Sequence, residues 1–199
     1  MFPLTGSLMP LFAMLYAAAA PPAAGAAAPP AGWQPERDVA QPSYVGAAPS
    51  VTDLNIDSVV LSCEQGPGRR GLQLGLFLSD DGRLAPRAGG EAKEAPAVTV
   101  AVDGVAYPGE LSFAGESGLM ADAADEAVPL LSAGLIDALQ AGRRLELRFD
   151  LVREADGQAT AFDGMATVDL RAGGGGDAVA ALRRCAEGGS LASAVLEQR

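Results

Sequence analysis

The chain contains no histidine, and this absence excludes several common catalytic mechanisms. Ser-His-Asp and Cys-His catalysis both need an imidazole base, and histidine metal sites are excluded with them. Lys93 is the only lysine, and it falls in a predicted loop of Gly, Ala and Pro residues that would not desolvate it for a Ser-Lys dyad. The residue types therefore predict a protein that is not an enzyme and needs no cofactor.

Acidic residues are the remaining candidates for acid–base chemistry. Five of them lie in predicted loops or turns: Asp80, Asp81, Asp122, Asp125 and Glu126. Their spacing alone leaves a carboxylate pair open, because such pairs meet only in the folded protein. The chain has few aromatic residues to line a sugar groove, which disfavours a glycosidase.

One stretch has the spacing of a calcium loop. Asp53, Asn55, Asp57 and Glu64 occupy positions 1, 3, 5 and 12 of an EF-hand count. Position 6, where the turn needs glycine, is Ser58, and the positions after it read as a strand. We therefore interpret these residues as polar positions at a strand edge and predict no metal site.

A glycine run and two arginine pairs complete the candidate motifs. The run at 173–176 lacks the Lys-Ser/Thr of a phosphate loop, and Asp177 after it would repel a phosphate, so we predict a flexible joint. The pairs Arg69-Arg70 and Arg143-Arg144 lie at predicted turns. We interpret them as solvated charges, with contact to an anion or an acidic partner as the alternative.

The two cysteines, Cys63 and Cys185, are predicted to form one structural disulfide. An even, isolated pair in an exported chain favours a bridge. Two buried free thiols or a redox pair are the alternatives, although a C-x-x-C spacing is absent. Closing a loop of about 120 residues contributes roughly 4–5 kcal/mol in the chain-entropy model.

The N-terminus has the pattern of a secretory signal peptide. Residues 1–28 carry no charged side chain, and an apolar run at Leu8–Ala20 is followed by small residues. A membrane anchor is the alternative, but about 13 apolar residues are too few for a span that needs roughly 20. We predict a periplasmic or secreted protein with no membrane span in the mature chain. Its divisions are a signal peptide (1–28), a Pro/Ala-rich linker (29–50), a β-rich domain (51–188) and a C-terminal tail (189–199).

The net charge of −11 lies entirely in the predicted mature part. An acidic domain repels phosphate backbones, so nucleic acid is a poor candidate partner.

The periodicity of the mature chain indicates mainly β structure. Alternating apolar residues at 72–78 and 145–151 predict strands with one buried face, and four Asp-Gly pairs favour antiparallel turns. Two short helices are predicted, one at Pro129–Ala141 and one at Ala178–Glu187 with Asp177 as its cap. We expect an antiparallel β-sandwich or curled sheet with the two helices packed on it.

The order of these features resembles a known family. A strand ending in Cys63, the Val98–Val102 strand with its Asp-Gly turn, the Pro-Leu-Leu helix and a closing helix with Cys185 follow one another. This order resembles the small exported proteins of the type VI secretion-associated periplasmic family. It is similar, more loosely, to the invasion-associated locus B family of alphaproteobacterial envelope proteins. The resemblance implies a periplasmic β-rich domain with an intramolecular disulfide and no enzymatic activity.

Two functional hypotheses follow. The first is a non-enzymatic protein that acts by contact with another protein of the cell envelope. The alternative is a small-ligand carrier of the periplasm, with a pocket inside the curled sheet. The rings proposed to line that pocket are Phe77, Phe113, Phe149 and Phe162.

Overall fold

The computed structural model describes residues 32–35, 43–65, 70–79, 84–85, 91–114, 117–122, 129–153 and 162–196. The predicted signal peptide lies outside these ranges. Within them, the chain forms one antiparallel sheet, two α-helices and a short 3-10 turn. The strands are β1 (Gln34–Pro35), β2 (Tyr44–Ala47), β3 (Val51–Thr52), β4 (Ile56–Gln65), β5 (Arg70–Leu78), β6 (Ala92–Val102), β7 (Val105–Ala114), β8 (Ser117–Ala121), β9 (Arg144–Val152) and β10 (Gly164–Asp169). The helices are α1 (Ala133–Ala141) and α2 (Gly175–Leu196), and the 3-10 turn is Ala172–Gly174.

The sheet curls until its two edges approach each other. Its strand order is β1-β2-β4-β5-β8-β7-β6-β9-β10-β3, so β2 and β3 lie near opposite edges. Residues 48–50 alone connect these two strands, a path of at most roughly 14 Å. The short path holds the edges together, and the result is a half-barrel. This confirms the predicted mainly β class, with a curled sheet as the form that the chain adopts.

A predicted antiparallel pair and a predicted Asp-Gly turn are present. In the β4–β5 pair, Leu61 lies opposite Leu74 and Cys63 opposite Leu72. The β6–β7 turn is the Asp103-Gly104 pair, with φ angles of 49° and 87°. Positive φ at both central residues is the type I′ geometry whose twist matches that of the flanking strands.

Alternate residues of the strands fill the inner side of the half-barrel. Side chains at every second position point the same way, so one face of each strand meets the core. Helix α2 packs on β2, β4 and β5, and α1 packs against α2. The strand residues at the centre of this core are Val59, Leu61, Leu72, Leu74, Leu76, Met120, Val100, Leu145, Leu147, Phe149 and Val168, all at most 1% exposed.

Cys63 and Cys185 form the predicted disulfide. The bond joins β4 to α2 across 122 residues, with the two Cα atoms 6.4 Å apart, inside the usual range for a bridge. No free cysteine remains in the chain. The bridge therefore fixes α2 on the inner face of the sheet near the end of β4, where the two residues that follow Cys63 are exposed.

The N-terminal arm belongs to the folded domain, so the predicted linker at 29–50 is corrected. Trp33 is fully buried, and β2 pairs with β4 along its whole length. In β2 the residues Val45 and Ala47 face the core and Tyr44 faces out. A four-residue strand in a Pro/Ala-rich segment gives too few alternations for periodicity to reveal it.

The glycine run at 173–176 forms a compact turn, which corrects the prediction of a flexible joint. Gly173 and Gly174 have φ of 65° and 80°, which side chains rarely adopt. A Cβ on Gly175 would lie 1.9 Å from the carbonyl oxygen of Leu170 and 2.6 Å from the Trp33 ring. The turn is therefore packed directly against the buried Trp33.

Both helices differ from their predicted bounds. Helix α2 begins at Gly175, so Asp177 lies in its first turn instead of capping it, and the helix continues to Leu196 through most of the predicted tail at 189–199. Helix α1 begins after Ser132, whose Oγ accepts a hydrogen bond from the Leu135 N–H at 3.2 Å. Asp122 in turn accepts from the backbone N–H of Ser132 at 2.6 Å.

A polar contact joins the two helices on their exposed sides. Arg183 of α2 donates to Asp137 and Gln140 of α1. The hydrogen bond to Asp137 raises the pKa of Arg183 above its ordinary value. Because the contact is solvent-exposed, its contribution to stability is small.

Candidate functional site

The outer face of the sheet carries a groove across β1, β2, β4, β5 and β8, which we call the outer groove. It is bounded by Tyr44, Val60, Glu64, Phe77 and Leu119, and its volume is about 920 Å³. Typical binding pockets have volumes of roughly 300–1,000 Å³. The outer groove is therefore large enough for a peptide segment or for side chains of a partner.

Cross-strand register explains why a depression forms here. Gly46, Val60, Gly75 and Leu119 lie side by side on neighbouring strands, so two of the four positions in this row have no side chain. The neighbouring row on one side begins with Tyr44, opposite Ser62, and the row on the other side contains Phe77, opposite Ser117. The row with two glycines lacks aromatic side chains, and the rows on either side carry Tyr44 and Phe77. This glycine row therefore forms the floor of the outer groove.

The outer groove combines exposed apolar side chains with uncharged polar groups. Phe77 is 51% exposed and Tyr44 is 43% exposed. Most of the other described lining side chains are hydroxyl or amide groups, and Glu64 is the only charged residue among the described residues that line the groove. Aromatic residues are enriched and charged residues are depleted at the centre of protein–protein interfaces.

Sequence reasoning did not identify the outer groove, although part of the signal was present. Phe77 stands out of phase with the buried leucines of β5, which predicts an outward ring. Tyr44 could not be found this way, because its strand lies in the segment interpreted as a linker.

The structure does not bring the four phenylalanines of the carrier hypothesis together. Phe149 is fully buried in the core, whereas Phe77 lies on the outer face. Phe113 lies opposite Gly118 at the end of β7 and is 44% exposed. Phe162 lies before β10, where the Arg148 guanidinium is 5.9 Å from the centre of its ring. They line no common pocket inside the sheet.

The calcium-like residues are far apart. Asp53 accepts a hydrogen bond from the Met165 N–H at 2.6 Å, and Asn55 accepts from the Ala85 N–H at 3.3 Å. Asp57 and Glu64 lie near opposite ends of β4, roughly 23 Å apart at about 3.3 Å per residue. Within the described ranges, no group of three or more acidic or cysteine side chains is placed to hold a metal ion.

Only one of the five acidic residues considered for catalysis, Asp122, lies among the described residues. Asp122 binds the start of α1 through Ser132. The other four, Asp80, Asp81, Asp125 and Glu126, lie outside the described residues. Its contacts with Ser132 therefore give Asp122 a structural role at the N-terminus of α1.

Lys93 lies on β6 and not in a loop, which corrects its predicted position. Its ammonium pairs with the carboxylate of Asp150 on β9, whose side chain is 9% exposed. Sequence reasoning ended the loop at Pro96, because proline is rare inside strands. The structure accommodates Pro96 at an irregularity in the β6–β9 pairing between Ala92 and Ala97.

We expect Lys93→Met to lower the free energy of unfolding by about 3 kcal/mol, because it leaves the Asp150 carboxylate buried without its cation. The value lies at the low end for buried pairs since the Lys93 side chain is 20% exposed. Urea unfolding measures the loss. Arg153→Met is the matched control, as its contact with Glu91 is exposed, and it should cost less than about 0.5 kcal/mol. Equal effects of the two substitutions would contradict the assignment.

The arginine pairs differ in their surroundings. Arg69 lies outside the described residues, and the Nη1 of Arg70 lies 3.8 Å from the Sγ of Cys185. Arg143 precedes β9 and Arg144 begins it, and the Asp103 carboxylate accepts hydrogen bonds from both backbone N–H groups. The second pair thus has a fixed backbone, and its side chains lie at the edge of a separate cavity.

No protein-family model matches the chain, and no curated protein or solved structure matches it. The resemblance to exported envelope families therefore stays a prediction. None of the helices formed by the described residues combines the length and the apolar character that a bilayer crossing requires.

Proposed function

We propose that this chain is a non-enzymatic protein of the cell envelope, periplasmic or secreted, that binds another protein through the outer groove. The observation that carries the proposal is the pair of half-exposed aromatic side chains, Tyr44 and Phe77, on either side of a glycine floor. Large rings held in place by a rigid sheet are typical anchors of binding energy in protein interfaces.

Charge defines the kind of partner. The chain has a net charge of −11, and Glu64 is the one charged residue among the described residues that line the outer groove. A partner segment that carries apolar side chains and a net positive charge complements both features. An acidic segment would be repelled during approach. We therefore propose a basic, partly apolar polypeptide segment as the occupant.

Two features support a location outside the cytoplasm. Residues 1–28 have the composition of a signal peptide, and the disulfide between Cys63 and Cys185 is of the kind that persists in oxidising compartments. The resemblance to exported envelope families is consistent with both.

Site-specific photo-crosslinking in the producing cell tests the outer groove. A photoreactive amino acid placed at Phe77 should give one discrete adduct, whose crosslinked peptide carries a net positive charge. The matched control is the same probe at Val105, which is 59% exposed but lies at the β6–β7 turn. Adducts of equal yield and pattern at both positions, or none at Phe77, would refute the proposal.

We expect Phe77→Ser to weaken binding of the crosslinked segment, made as a synthetic peptide, by about 30-fold, the effect of removing one anchor worth about 2 kcal/mol. Val105→Ser removes a similar exposed apolar side chain and should leave the affinity unchanged. Fluorescence anisotropy of the labelled peptide measures both. A decrease of equal size for the two variants would contradict a specific groove.

A further inference from the structure

A second cavity lies on the opposite part of the sheet, beside β3, β9 and β10. Its volume is about 860 Å³, and we call it the arginine cavity. The residues that define it are Val51, Arg143, Arg144, Met165, Thr167 and Arg171. It shares no lining residue with the outer groove, so it requires its own explanation.

Three guanidinium groups meet at this cavity in a chain whose net charge is strongly negative. Arg144 donates to Glu146, and Arg171 donates to the carbonyl oxygen of Ala141. The side chain of Arg143 makes no hydrogen bond or ion pair with any residue that the structure describes. Glu146 is shared between Arg144 and Arg148, so it neutralises only part of this charge.

Asp169 is the one carboxylate among the described residues that line the cavity. Its Oδ1 accepts hydrogen bonds from the backbone N–H groups of Arg171 at 2.8 Å and of Ala172 at 3.1 Å. The carboxylate is thus held by the turn after β10. Among the described residues, the Asp169 carboxylate and part of the Glu146 charge oppose three guanidinium groups, which leaves the cavity net positive.

Thr167 provides an independent sign of a missing partner. Its side chain is 7% exposed and lines the cavity, and its hydroxyl oxygen is buried without a hydrogen-bond partner among the described residues. A buried hydroxyl left unsatisfied costs about 1–3 kcal/mol, so such groups in proteins usually have a partner. The Oγ1 is enclosed in the rotamer of this structure, so binding would require rotation about the Cα–Cβ bond to turn the hydroxyl towards a ligand in the cavity.

We propose that the arginine cavity binds the phosphate or sulfate group of a small molecule. Guanidinium groups form charge-assisted, often bidentate hydrogen bonds to such tetrahedral oxyanions. Arg143 and Arg171 supply the charge, and the Thr167 hydroxyl donates a further hydrogen bond. Val51, which is 59% exposed, and Met165 form an apolar wall that contacts the remainder of the ligand.

Calorimetric titration of the purified protein tests this proposal with two probes, inorganic phosphate and butyl phosphate. The apolar wall predicts tighter binding of butyl phosphate, by about fivefold to tenfold for the methylene groups that it covers. Equal affinity would assign the site to the free anion, whereas tighter butyl phosphate binding would assign it to an ester. Absence of binding by both probes at about 1 mM would overturn the proposal.

Two variants connect binding to the named residues. We expect Thr167→Val, which keeps the shape of the side chain, to weaken phosphate binding by about 10- to 100-fold, the effect of one hydrogen bond to a charged group. Arg143→Gln should weaken it at least as much. Neither should lower the thermal unfolding midpoint, because neither removes a hydrogen bond that the described residues make with that side chain.

Arg153→Gln is the matched control, since Arg153 is an exposed arginine of the same sheet that does not line the cavity. It should leave phosphate affinity unchanged. If Arg143→Gln and Arg153→Gln weaken binding equally and Thr167→Val leaves it unchanged, the anion is bound by overall charge alone, and the proposed site is wrong.

Discussion

We expect the Cys63→Ser/Cys185→Ser double variant to lose about 4–5 kcal/mol of stability towards unfolding. The disulfide closes a loop of 122 residues, and in the chain-entropy model a loop of that length restricts the unfolded chain by about this amount. Since a typical domain is stable by only about 5–15 kcal/mol, the variant is expected to be close to its unfolding threshold. Urea unfolding monitored by circular dichroism measures the loss.

The unmodified protein in excess reductant provides the control for this variant. Its unfolding midpoint should match that of the double variant, because both lack the same covalent constraint. A double variant as stable as the oxidised protein would show that the non-covalent packing of α2 on β4 and β5 holds the last helix without the bridge.

We expect Trp33→Ala to lower the free energy of unfolding by about 3–5 kcal/mol, the usual cost of removing a buried aromatic side chain. Trp33 is fully buried and contacts the Gly175 turn at the start of α2. Trp33→Phe should cost clearly less. Its ring fills part of the space, and the indole N–H has no hydrogen-bond partner to lose among the described residues.

Tyr44→Ala is the matched control, because Tyr44 lies in the same N-terminal arm but is 43% exposed. Its effect should stay below about 1 kcal/mol. Chemical denaturation of the three variants provides the comparison. If Trp33→Ala were as mild as Tyr44→Ala, the arm would not be part of the cooperative core.

The central strands were predictable from the sequence because each has several alternations. In β9 the residues Leu145, Leu147, Phe149 and Leu151 are buried, as their spacing predicts. The β4–β5 pair and the Asp103-Gly104 turn were also predictable, since each depends on residues close in the chain. Local patterns sufficed for these elements.

The N-terminal arm was not predictable, and the reason is physical. Burial of Trp33 depends on the turn at Gly175, and the pairing of β2 depends on β4. Neither contact leaves a periodic signal in a segment rich in Pro and Ala. Long-range contacts of this kind appear only when the sheet has curled.

Neither candidate site could be predicted in full from the sequence, and the reason is the same for both. The sequence identified Arg143-Arg144 as a basic pair, but Arg171 joins it only because β10 runs antiparallel to β9. The outer groove likewise depends on Gly46 and Gly75 lying in one cross-strand row. Register between strands, which single-sequence patterns do not specify, creates both depressions.

The pairing of β3 with β10 affects when the sheet can close during folding. Ser50 donates a hydrogen bond to the carbonyl oxygen of Thr167, which lies 117 residues later in the chain. Strand β3 therefore cannot pair with β10 until almost the entire polypeptide has been synthesised. Contacts of such long sequence separation slow folding. The curled sheet can therefore be closed only by segments from opposite ends of the folded domain, so closure is among the last steps of folding.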